Sequence, residues 1–312
     1  MYNYNKVAFL ISNANGKPVL DICLKFLKAN FFESPILIIN DTDKDEDYVS
    51  ELCKEYNVDS KRYKIEKKSL NIYKKHHLSS VIELGIRHIE SRYSDIEIVC
   101  HLDNDTFMLN THFIDTAIEV FQEDYVALGE VYNIQDYKKG NFSEITDYDT
   151  MNIRINTICM AIDVTKREKH HIPFYDIENY ADYDKKYLGS DDGCGFYNYC
   201  KDKGFKIANY KDYSRYQFAK FENIFHNVVT NSFYHLGGYA RGGFYKHGDN
   251  SVIRLSNTFL EKKFNALRMS SYLGGYNDDL LMLLDNNFKS NFKSVDINYN
   301  YDFHKFLNDE GE

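Results

Sequence analysis

Two short apolar, largely β-branched runs, VAFLI (7–11) and ILIIN (36–40), flank a stretch opened by Pro18-Val19 in which Leu20, Cys23, Leu24 and Leu27 recur at i, i+3, i+4 and i+7. That alternation of periods predicts strand, helix, strand. Ser80-Val81-Ile82-Glu83 has the spacing of a capping box, and Ile82, Ile86 and Ile89 share one face of the helix predicted to follow it. IEIVCHL (96–102) predicts a third buried strand and YVALGE (125–130) a fourth, with a helical segment over 112–122 between them. INTICMAIDV (155–164) predicts another strand. FYNYCKDKGFKIANY (196–210) predicts a helix, a stop at Gly204 and a strand, whereas 222–248 is rich in Gly, His and Tyr without a clear period.

Strands alternating with helices over residues 1–130 imply right-handed βαβ units and an α/β fold with a mostly parallel central sheet flanked by helices. No Pro-, Gly- or Ser-rich linker follows. The expected organisation is therefore one two-lobed domain over 1–250, with halves 1–130 and 131–250. A helical C-terminal tail over 251–312 completes it, carrying the amphipathic segment SNTFLEKKFNALRMSSYL (256–273).

Composition narrows the function classes. A 312-residue chain with 43% hydrophobic and 16% aromatic residues can bury a substantial core. A net charge of −9 argues against nucleic acid as a partner, because phosphate binding runs on clustered Lys and Arg. Six scattered cysteines without a CxxC pair read as reduced core residues. The apolar stretch near the N-terminus is too short for a signal-peptide core or a membrane span, so a cytoplasmic location is expected.

In IVCHLDNDTFML (98–109) two carboxylates, Asp103 and Asp105, stand at the end of a buried strand, where open α/β sheets bind ligands. A carboxylate there must be solvated, hydrogen-bonded or bound to a cation. If the chain turns at this point, the two can converge on one Mn²⁺ or Mg²⁺, which takes oxygen ligands and keeps positions open for a diphosphate. The plain alternative is that Asp-Asn-Asp merely starts a loop.

HLDNDTFML, a strand followed by DxD and an apolar residue, resembles the metal-binding motif of nucleotide-sugar glycosyltransferases of the GT-A fold, and in particular glycosyltransferase family 2. VAFLISNANGKPVLDICLKFLKANFFESPILIINDTDKDE resembles the opening of that family, and NIYKKHHLSSVIELGIRHI (71–89) is similar to its segment after the third strand. INTICMAIDVTKREK resembles its acceptor-side strand and turn, and GSDDGCGFYNYCKDKGFKIA (189–208) its Glu-Asp motif. FYHLGGYARGG (233–243) resembles its His-x-Gly-Gly segment. The resemblance implies a GT-A-like (Rossmann-like) fold, Asp41 as a nucleoside contact, Asp192 as catalytic base with Asp191 in the place of the Glu, and His235 as a further metal ligand beside Asp103 and Asp105.

Asn104 joins the expected nucleotide-sugar contacts but should matter least to the metal, and Arg241 and Lys246 are candidate diphosphate contacts. Asp191-Asp192 can equally cap a helix beginning near Cys194. The activity implied is metal-dependent, inverting transfer of a sugar from a nucleotide donor, UDP-sugar by default, to a hydroxyl of a glycan, a lipid-linked or a related acceptor. A sugar nucleotidyltransferase of similar fold is the runner-up, but SNANGKPVL holds only Gly16 and Lys17 where such an enzyme carries a Gly-rich basic loop. A non-catalytic glycan-binding or scaffold protein is the rival from another class. The tail either dimerises or packs against the catalytic lobe, and its Lys and aromatic residues allow a peripheral membrane contact.

Overall fold

A computed structural model of the chain describes residues 2–13, 19–40, 46–63, 77–133, 153–187, 192–214, 216–221, 225–230 and 232–235. In chain order its elements are β1 (Val7–Asn13), α1 (Val19–Asn30), β2 (Ile36–Asn40), α2 (Glu46–Tyr56), β3 (Asp59–Lys61), α3 (His77–Arg92), β4 (Ile98–Asp103) and β5 (Thr106–Met108). Next come α4 (His112–Val120), β6 (Tyr125–Asn133), β7 (Ile153–Asp163), α5 (Val164–His170), α6 (Tyr180–Tyr187), α7 (Cys194–Lys203), β8 (Lys206–Asn209), β9 (Tyr216–Phe221), β10 (Phe225–Thr230) and β11 (Phe233–His235). The expected helical tail, 251–312, lies outside the described residues.

The elements fall into two compact units, interleaved along the chain. One holds β1–β4, β6–β8, α2, α3 and α5–α7; the other holds α1, β5 and β9–β11.

In the first unit seven strands form one sheet in the order β3-β2-β1-β4-β7-β6-β8. The pairs β1–β2, β1–β4, β2–β3 and β6–β8 are parallel, and β7 alone runs against its neighbours β4 and β6. The mostly parallel sheet expected from the pattern is present, and the unbroken apolar runs of β1, β2 and β4 are buried as such sheets require. Val81, Ile82, Ile86 and Ile89 of α3 share a core with Ala8 and Leu10 of β1, Leu37 and Ile39 of β2 and Val99 of β4. The helix comes so close to β1 that a Cβ on Gly85 would stand 2.5 Å from Leu10 Cδ1.

Two details depart from the pattern. α3 is already formed at His77, so Ser80 is inside it rather than its cap, and Glu83 serves as a tertiary anchor instead. Its carboxylate accepts from Arg87 Nε (2.5 Å), Arg167 Nη2 (2.6 Å) and the amides of Phe174 and Tyr175 (2.8 and 3.4 Å). Between Gly129 and Val131 the register of β6 on β7 shifts, so that β7 passes residues 156–159 where β6 spends only Glu130.

That bulge gives the carbonyl of Thr157 to His101 Nδ1, 2.5 Å away, while His101 Nε2 lies 2.8 Å from Ser12 Oγ. A carbonyl can only accept, so Nδ1 carries the proton and Nε2 takes the serine hydroxyl. Burial pushes the His101 pKa down to about 4, against the opposing pull of the Thr157 bond. The folded chain therefore refuses a proton that the unfolded chain takes up from its ordinary value of 6.5 downward. Stability should fall by roughly 3 kcal/mol from this group between pH 6.5 and 4, and no change from it is expected above 6.5. Urea unfolding followed against pH for the wild type and His101→Gln checks this; equal slopes for the two would refute it.

In the second unit four antiparallel strands form a sheet in the order β5-β11-β10-β9. Phe107 of β5 stacks on Phe26 of α1 with centroids 5.7 Å apart, and Phe113 meets Phe233 edge to face at 5.6 Å. Asn30 Nδ2 donates to Met108 O at 3.0 Å, and Leu109 N donates to Ser232 O at 2.8 Å. Thr230 Oγ1 accepts from the amides of Ser232 and Phe233 (3.0 and 2.8 Å), closing the turn that delivers β11. None of these strands was legible from the pattern. Among the described residues no helix is long and apolar enough to cross a membrane.

Candidate active site

Asp103 is the last residue of β4, Asn104 and Asp105 form a turn, and the chain continues directly into β5. The turn is what an i, i+2 carboxylate pair needs in order to converge. β11 pairs antiparallel with β5 so that His235 stands opposite Thr106, the residue next to Asp105. This register brings His235 Nε2 to 3.1 Å from Asp105 Oδ1, with both side chains nearly removed from solvent. Oxygens of Asp103 and Asp105 and a ring nitrogen of His235 all lie within 4.8 Å of one another.

Two carboxylates and an imidazole form a donor set that suits a divalent cation, and the burial of Asp105 favours it because a buried carboxylate needs a compensating charge. The cluster can hold a metal ion. Among the described residues no other group of three His, Cys, Asp or Glu side chains is so placed. Asn104 is buried in the same turn. The structure thus brings together Asp103, Asp105 and His235, which the sequence had put in one site. Asp41, Asp191, Arg241 and Lys246 lie outside the described residues.

Asp192 belongs to the first unit and stands just before α7. The N-cap residue of that helix is Gly193, which has no side chain to make a cap bond. Asp192 Oδ1 accepts from Ser79 N (3.2 Å) and Ser79 Oγ (2.8 Å), in the first turn of α3. First-turn amides have no partner four residues back, so a carboxylate arriving from outside satisfies one of them. Gly193 has φ of +82°, and a Cβ there would stand 2.2 Å from the carbonyl oxygen of Ile155 in β7. Only glycine lets the backbone after Asp192 approach β7 this closely.

Sequence reasoning missed three features at the ends of the same sheet. Asn13 and Asn40 close β1 and β2, are buried, and pair through Asn13 Nδ2 and Asn40 Oδ1 at 2.9 Å. Glu130, in the β6 irregularity, is buried and accepts from Asn156 Nδ2 at 2.7 Å and Lys211 Nζ at 3.2 Å. Arg154 lies over the ring of Tyr132, 5.1 Å from its centroid, and donates to Asn156 Oδ1 at 2.9 Å. An amide ending each of two apolar strands was a visible signal for the first. For the others the signal was a charge inside an apolar run.

No protein-family model matches the chain, and no curated protein does. Among solved structures it is similar to a cytidylyltransferase from Leptospira borgpetersenii, with 15% identity over 66% of this chain and 75% of that one and a TM-score of 0.37. It is also similar to mouse xyloside xylosyltransferase 1, with 11% identity over 65% of this chain and 83% of that one and a TM-score of 0.41. A third likeness is to residues 1–349 of S. aureus TarS, with 10% identity over 96% of this chain and 76% of that one and a TM-score of 0.39.

Proposed function

We propose that the chain is a metal-dependent transferase of nucleoside-diphosphate sugars, a glycosyltransferase that passes the sugar to a hydroxyl of a glycan or related acceptor. The observation that carries this reading is the buried Asp105–His235 pair, held by the β5–β11 register beside Asp103 at the end of β4. Mn²⁺ or Mg²⁺ suits these ligands. When bound, such an ion offsets the negative charge that develops on the departing diphosphate.

The chain's own residues supply the rest. Asp103, Asp105 and His235 would hold that ion. Asp192 takes the proton of the acceptor hydroxyl as its oxygen attacks the anomeric carbon. The new bond forms from acceptor oxygen to that carbon while the bond from carbon to diphosphate oxygen breaks, and attack opposite the leaving group inverts the centre. A UDP-sugar is the donor we favour, Asp41, Arg241 and Lys246 are the proposed further contacts to it, and a cytoplasmic site of action fits the composition.

Thermal shift with a panel of nucleotide-sugars, with and without Mn²⁺, followed by an assay for free sugar and transferred sugar, tests the reading. Stabilisation by a UDP-sugar only in the presence of metal is the expected result. Release of pyrophosphate from a nucleoside triphosphate and a sugar phosphate would replace it with nucleotidyl transfer. Failure of every nucleoside diphosphate to bind with Mn²⁺ or Mg²⁺ would overturn it.

A further inference from the structure

We propose that Ser79 is a positioning residue for Asp192, orienting its carboxylate through the two hydrogen bonds that the first turn of α3 donates to Oδ1. The proposal rests on the reading of Asp192 as the base. The two residues are 113 positions apart, so the contact is not a by-product of local chain geometry. Ser79 is buried and gives both its amide and its hydroxyl to the same oxygen, at 3.2 and 2.8 Å. Two donors from one residue fix the position of Oδ1 against the helix.

Further tertiary contacts hold each side of this bond. α3 is anchored four residues later by Glu83, whose carboxylate holds Arg167 and the amides of Phe174 and Tyr175. The backbone after Asp192 is set by Gly193 against Ile155 of β7. Asp192 is thereby clamped through its side chain to a helix and through its main chain to a strand, which is how a base is kept in a near-attack geometry.

A capping bond alone stabilises a helix by about 1 kcal/mol and does nothing to turnover. Kinetics separate the two roles. With UDP-glucose, UDP-galactose and UDP-N-acetylglucosamine as donor probes and Mn²⁺ present, Ser79→Ala should lower kcat for donor cleavage between about tenfold and a hundredfold and leave the donor KM unchanged. Ser79→Thr, which keeps the hydroxyl, should restore most of kcat. Adding Ser79→Ala to Asp192→Asn should cost nothing more in kcat, because Ser79 acts through the carboxylate.

A Ser79→Ala protein with a lower Tm but wild-type kcat overturns the proposal and leaves Ser79 as a cap. So does a double variant slower than Asp192→Asn by the full factor of Ser79→Ala. If Asp192→Asn itself keeps wild-type turnover, the reading of Asp192 as base has failed instead, and with it the ground of the proposal.

Discussion

Asp105→Asn should lower the Mn²⁺-dependent affinity for UDP by roughly a hundredfold, about 2.7 kcal/mol, since even groups that only orient a metal's ligands are worth ten- to a hundredfold. The substitution keeps the shape of the side chain and removes its charge. Asp105 is buried with one oxygen 3.1 Å from His235 Nε2. An Asn carbonyl can still accept from that nitrogen, so the turn before β5 should survive while the charge that attracts the cation does not. Calorimetry of UDP binding with and without Mn²⁺ separates the two: the metal-independent affinity stays and the metal-dependent gain disappears. His235→Ala should fall in the same direction by less, because it removes a neutral donor and leaves both carboxylates. Unchanged metal-dependent affinity in Asp105→Asn would remove the Asp103–Asp105–His235 cluster from the function.

The acidic half of this cluster was readable in the sequence because a continuous apolar strand makes two acids at its end conspicuous. The other half was not. His235 reaches Asp105 through β5 and β11, three residues each, too short for a period of two to register. Only the resemblance of FYHLGG to a known segment pointed to it. The long buried elements β1, β2, α3 and β4 were legible for the opposite reason, since each buries enough apolar side chains to leave its period in the chain.

Capping was where local reading failed. Ser80-Val81-Ile82-Glu83 has the right spacing for a self-contained cap, but the partners came from elsewhere in the fold. Asp192 caps α3 from 113 residues away, and Glu83 is drawn to Arg167 and the 174–175 amides. A cap motif states which groups need partners; the tertiary fold decides who provides them.

Glu83→Ala should be among the most destabilising single changes in the first unit, at about 3–5 kcal/mol in denaturant unfolding, because removing one member of a buried ion pair strands the other. The Glu83 side chain is 0% exposed and each of its oxygens has two donors: Arg87 Nε and Arg167 Nη2 on Oε1, the Phe174 and Tyr175 amides on Oε2. Without it Arg167, itself nearly buried, keeps only Glu90, and two backbone amides lose their acceptor. Glu83→Gln should lose almost as much, since its amide nitrogen turns one acceptor into a donor facing donors. Arg87→Ala, in contrast, should cost much less, because Arg87 is 40% exposed, its pairing with Glu178 is at the surface, and Glu83 keeps Arg167 when Arg87 is removed. The comparison assigns the energy to the Glu83–Arg167 pair and the loop amides rather than to the charges around them. A loss under about 1 kcal/mol for Glu83→Ala would mean that α3 holds its place by its apolar face alone. The frame that keeps Ser79 against Asp192 would then have to be sought in Ile82, Ile86 and Ile89, which are fully buried against the sheet.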